Sequence, residues 1–70
     1  MMKPEKMPFP VSQAIGIWIM RHFREASVAE RTSEHVKLLA DITWDSMNGC
    51  YYFVRNGMYH GVETDGHIHT

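Results

Sequence analysis

Residues 36–44 read Val36-Lys37-Leu38-Leu39-Ala40-Asp41-Ile42-Thr43-Trp44, and two folds follow from two ways of reading them. Val36, Leu38, Ala40, Ile42 and Trp44 alternate with mostly polar neighbours, the pattern of a half-buried strand. Yet Val28, Val36, Leu39, Ala40, Thr43 and Met47 form one face at helical spacing. The flanks favour the helix. Ser27 followed by Glu30 is a capping-box signature, in which hydroxyl and carboxylate satisfy free backbone donors at a helix start. Asn48-Gly49 reads as a helix stop, because glycine takes the left-handed conformation beyond a C-terminus without a steric penalty. The spacing and both end signals predict a helix over 27–48, with Thr32-Ser33 as a candidate break. A strand here would give the alternative, one helix on a three-stranded β-meander starting near Val36.

Working toward the C-terminus, Cys50-Tyr51-Tyr52-Phe53-Val54 and Met58-Tyr59-His60-Gly61-Val62 are rich in strand formers. Asn56-Gly57 between them is a strong hairpin signal, since both central residues of a type I′ turn need positive φ. A two-residue loop pairs Val54 with Tyr59 and Phe53 with His60. One face then carries Tyr51, Phe53, Met58, His60 and Val62, and the other Cys50, Tyr52, Val54, Tyr59 and Glu63. A turn at Asp65-Gly66 returns His67-Ile68-His69 as a short third strand, with Thr64 opposite His67 and Val62 opposite His69.

Toward the N-terminus, residues 11–25 read as a helix with Ser12 as its N-cap. Ala14, Ile15, Ile17, Trp18, Ile19, Met20 and Phe23 cover most of its circumference at 100° per residue, so it must be buried on several sides. Residues 1–10 hold all 3 prolines and form an extended arm, with Phe9 as a candidate anchor on the core. The expected architecture is α+β: arm 1–10, then one small domain over 11–70 with two helices and a C-terminal antiparallel β-hairpin.

A chain of 70 residues makes one domain, and a domain this small buries only about 60% of its unfolded surface. The first helix therefore carries more apolar area than the chain can shelter. Ile15, Ile17, Trp18, Ile19, Met20 and Phe23 are the candidate contacts with a protein partner or with a second copy in a homodimer. Gly16 on the same helix lets another backbone approach closely.

The charge balance narrows the functional classes. There are 7 Lys and Arg against 8 Asp and Glu, a net charge of −1. Nucleic-acid binders draw most of their affinity from cationic side chains, so such a role is disfavoured. In its strongest form the two helices would act as a helix-turn-helix-like pair, with Arg21, Arg24, Arg31 and Lys37 on phosphates. Tyr51, Tyr52, Phe53 and Tyr59 suggest stacking on bases, but Arg55 is the cation beside them, and Glu63 and Asp65 oppose it. Acidic pairs, Gly-rich phosphate loops and serine elbows are missing, so the chain reads as no enzyme. A Cys50–His60 pair would fall on opposite sheet faces.

One cysteine forms no internal disulfide and suits a reducing compartment. The longest strongly apolar run, Ala14 to Met20, contains Gly16 and is far short of the ~20 residues that span a bilayer. The charged segment after it is a poor signal-peptide end. The expected location is cytoplasmic.

Five histidines supply the metal reading. In the register above His60, His67 and His69 share a face and would chelate a divalent transition metal, with Asp65 or Glu63 completing the shell. His22 and His35 read as residues at the core edge. No cofactor is otherwise implied. The primary expectation is a small non-catalytic protein-binding module that regulates or inhibits a larger protein or assembly. Its size and lack of motifs suit a phage or mobile-element product. A His-rich metal-binding domain and a nucleic-acid-binding regulator are the alternatives.

Overall fold

In the computed structural model, which describes residues 1–69, the first helix starts at the prolines. Pro8 is the N-cap residue of α1 (Phe9–His22), and Pro10 lies in its first turn. A missing N–H costs nothing there, because the first-turn donors have no intrahelical partner. The arm is therefore shorter than residues 1–10. Ser12 is not the cap; its hydroxyl donates to the Phe9 carbonyl at 3.0 Å inside the helix. Phe9 is exposed and does not anchor the arm, whereas Met7 packs against the core. The arm folds back along the sheet, where the Trp44 indole Nε1–H donates to the Met1 carbonyl at 3.1 Å. Arg21 lies in the last turn of α1, where its positive charge complements the helix dipole.

The second helix, α2 (Val28–Asp41), opens at the expected cap, with the Glu30 carboxylate accepting from the Ser27 hydroxyl at 3.3 Å. The Ser27 hydroxyl oxygen accepts from the Glu30 N–H at 3.1 Å. The helix ends at Asp41 and does not run to 48. Ile42 is extended, and Thr43–Asp45 form β1. Thr43, Trp44 and Asp45 pair antiparallel with Tyr52, Tyr51 and Cys50 of β2 (Cys50–Arg55). The Asp45 carboxylate accepts from the Met47 N–H at 3.0 Å and the Asn48 N–H at 3.3 Å, an Asx-type turn. Gly49 has φ +66°, so the glycine that reads as a helix stop closes a strand connection instead.

The hairpin of β2 with β3 (Met58–Val62) has the expected register. Val54 pairs with Tyr59 and Phe53 with His60. Asn56 and Gly57 both have positive φ, 55° and 75°, as a type I′ turn requires. The sheet order is β1-β2-β3. The molecule is thus α+β, with both helices and the hairpin expected of it. The third strand, β1, comes from the segment that the meander reading had made extended.

One sheet face, with Tyr51, Phe53 and Val62, closes over Val11, Ala14, Ile15 and Ile19 of α1 and Leu38 of α2. Trp18 meets the Phe53 ring edge-on, with centroids 5.1 Å apart, a favoured aromatic geometry. Leu38 is the buried residue by which α2 enters this core.

Candidate functional site

The six partner-contact candidates of α1 divide. Ile15 and Ile19 are buried in the chain's own core, while Trp18 and Phe23 are half-buried and pack against it. Ile15 and Ile19 offer no free surface, because they are enclosed in the core with the sheet residues and Leu38. Ile17 and Met20 are exposed. Gly16 is approached by the same chain: the His35 ring lies 3.5 Å from where a Gly16 side chain would begin.

The open apolar surface spans both helices. On α2, Val28, Ala29, Thr32, Ser33, Val36, Leu39 and Ala40 fall within a sector of about 140° at 3.6 residues per turn, and all seven are exposed. No charged side chain of α2 lies in that sector. Its charges, Glu30, Arg31, Glu34, Lys37 and Asp41, occupy the rest of the circumference. Val28 is 72% and Val36 63% exposed, while Leu38, outside the sector, is 0% exposed. The face that helical spacing picks out therefore looks outward.

On α1, Phe9, Gln13, Ile17 and Met20 form a parallel uncharged stripe, likewise exposed. Phe9 is 73% and Met20 60% exposed. Gly16 lies beside His35 near the middle of both helices, and the short 23–27 connection turns the chain back, so the helices run antiparallel. Between them is a groove of about 530 Å³ lined by Gln13, Gly16, Ile17, Ile19, Met20, Val28 and Thr32, with Arg31 and His35 at its α2 wall. Six large apolar side chains (Phe9, Ile17, Met20, Val28, Val36 and Leu39) rise from this two-helix face.

The histidines do not converge as expected. His60 is buried, stacked on Phe53 with centroids 5.0 Å apart and edge-on to Trp18. The returning segment pairs Val62 with Ile68, one residue away from the expected Val62–His69 pairing. A one-residue slip exchanges the faces. Ile68 turns to the core, and His67 and His69 turn to the opposite face from His60. Their rings lie 4.7 Å apart, and His69 Nε2 is 2.9 Å from Glu63 Oε1. Among the described residues, no three His, Cys, Asp or Glu side chains are grouped to hold a metal ion. His22 Nδ1–H donates to the Trp18 carbonyl at 2.9 Å.

The outer sheet face is largely engaged with itself. Tyr52 and Tyr59 stack with centroids 5.1 Å apart, and the Tyr59 hydroxyl donates to Asp45 Oδ2 at 3.2 Å. Asn48 Nδ2–H donates to the same oxygen at 2.7 Å. This side-chain bond is the main reason the Asp45 carboxyl sits below its ordinary range; burial opposes it, while the Asn48 and Met47 amides and the Tyr59 hydroxyl reinforce it. Cys50 is buried on this side, opposite His60 across the sheet, and burial, then the Glu63 and Asp45 charges, push its thiol up. Arg55, the cation beside these aromatics, pairs with Asp41 at 3.0 Å. Of the four phosphate-contact candidates, Lys37 pairs with Glu34 at 3.6 Å, Arg21 and Arg24 are exposed, and Arg31 is half-buried at the groove.

Sequence reasoning found Ile17 and Met20 but missed Phe9, Val28, Val36 and Leu39 as surface. Spacing carries no signal for this, because a charge-free sector on a helix is also what a core-facing side shows. No helix among the described residues is long and apolar enough to cross a membrane. No protein-family model, curated protein or solved structure matches the chain.

Proposed function

We propose that this chain is a small non-catalytic protein-binding module that regulates or inhibits a larger protein or assembly. It works by docking, and the α1–α2 face is its docking surface. The observation that carries this reading is the uncharged double stripe, in which six large apolar side chains on two adjacent helices face solvent. Single exposed apolar residues are ordinary on a soluble protein, but a contiguous patch across two elements marks an interaction site. Such a patch, rimmed by charge, is the anatomy of a protein–protein interface. The unbridged, buried Cys50 suits a reducing, cytoplasmic setting.

Site-specific photo-crosslinking in cells making the protein tests the reading. A photoreactive residue at Val36 is expected to give covalent adducts with polypeptide, and one at Thr64, in the exposed turn after β3, none. Equal yields at the two positions, or none at Val36, would remove the α1–α2 face as the docking surface.

A further inference from the structure

We propose that the occupant of the α1–α2 face is a second copy of this chain, forming a twofold-symmetric dimer with the α2 helices antiparallel across the axis. The proposal rests on the docking reading above in that it uses the same face: the self-paired dimer is the state in which that face is covered when no larger protein holds it. One observation favours self-association over an unrelated protein, and a second is of the size a dimer needs.

The first is charge. A twofold interface sets one patch against itself, so its rim must carry both signs in matching places. Glu30 and Lys37 lie on the same flank of α2, about 20° apart around the helix at 100° per residue, beside the uncharged sector. When two such helices cross antiparallel about a point between Ser33 and Glu34, Glu30 of each copy comes opposite Lys37 of the other. The same operation sets Val28 of one copy opposite Leu39 of the other. A rim of one sign would repel its own copy.

The second is area. The solvent-accessible surface is 5027 Å², against about 4,500 Å² for a compact monomer of this mass. The excess of roughly 500 Å², summed over the whole chain with its exposed arm, is comparable with what one copy gives up in a minimal specific interface of about 1,000 Å² in total. The two helices offer the span for it: each has 14 residues, or about 21 Å of length.

The test is sedimentation equilibrium of the untagged full chain from low micromolar to submillimolar concentration. Wild type is expected to approach twice the 8.2 kDa chain mass as concentration rises. Val36→Glu is expected to weaken association by about a hundredfold, since it buries two like charges near the axis. Glu30→Lys and Lys37→Glu are each expected to weaken it about fivefold, because symmetry repeats every lost pair. The double swap Glu30→Lys with Lys37→Glu is expected to restore wild-type association. Circular dichroism of each variant checks that the helices persist.

A wild type that stays monomeric throughout overturns the proposal, as does a double swap no better than its single parents. Photo-crosslinking at Val36 then separates the two levels. Adducts to another polypeptide from a monomeric wild type overturn the second copy and leave the docking reading intact. Monomer without adducts overturns both.

Discussion

Leu38→Ala tests how α2 is held to the rest of the molecule. Leu38 is 0% exposed and is the buried residue of that helix. Truncating a leucine in a filled core removes transfer free energy and leaves a cavity, at a cost of about 2–5 kcal/mol. A domain of 70 residues has a total stability of roughly 3.5–10 kcal/mol. A loss of about 3 kcal/mol is therefore roughly 30% or more of the total. At about 4–8 °C per kcal/mol for this size, the melting temperature falls by roughly 12–24 °C. Leu39→Ala is the control, because Leu39 is already partly in solvent and lies on the outward face. It is expected to lower the folding stability of the monomer by less than about 1 kcal/mol, while weakening self-association. The assay is thermal and urea unfolding followed by far-ultraviolet circular dichroism, at a concentration low enough to keep every variant monomeric. An L38A protein melting within about 3 °C of L39A would refute the assignment of inward and outward faces on α2.

Gly66 has φ +96°, and an added side chain would meet the Pro10 carbonyl oxygen at 2.8 Å. Gly66→Ala is expected to release the 63–69 return from α1 and raise amide exchange at His69, whose N–H bonds the Gly61 carbonyl; unchanged protection there would contradict this packing. The Asp45 carboxyl, lowered chiefly by the Asn48 side chain, binds its proton less readily folded than unfolded. It therefore adds stability above about pH 4, and that contribution is lost as acid protonates it. Asp45→Asn is expected to flatten the acid limb of stability against pH, and an unchanged limb would count against the Asp45–Asn48 bond. Burial and neighbouring carboxylates hold the Cys50 thiol protonated, so alkylation at pH 8 is expected to be much slower in the native protein than in urea. Equal rates would mean that Cys50 is open to solvent.

The hairpin was legible because Asn56-Gly57 permits few turns and the aromatic flanks then fix the register. The Ser27–Glu30 cap was legible because that pattern has one geometric solution at a helix start. The end of α2 was not, since a glycine at positive φ serves a helix stop and a strand turn equally well. Asp45, not Gly49, holds the information, through its bonds to the Met47 and Asn48 amides. A three-residue strand such as β1 carries no periodicity, and its pairing with Tyr51 and Tyr52 is a long-range effect. The histidine register failed by one residue, because the turn over Glu63–Gly66 has a Gly66 N–H to Glu63 carbonyl bond that sequence spacing does not specify. The exposed apolar face was half legible. Helical spacing identified Val28, Val36 and Leu39 as one stripe of α2, but only tertiary packing decides that Leu38 goes in and the stripe stays out.

Isotope-filtered NMR on a mixture of labelled and unlabelled chains addresses the pairing of the two copies without any substitution. Intermolecular methyl contacts between Val28 of one copy and Leu39 of the other are the predicted result, in a particle that diffuses as a dimer. Methyl signals of Val28, Val36 and Leu39 with no intermolecular partner, in a particle diffusing at 8.2 kDa, would contradict the account.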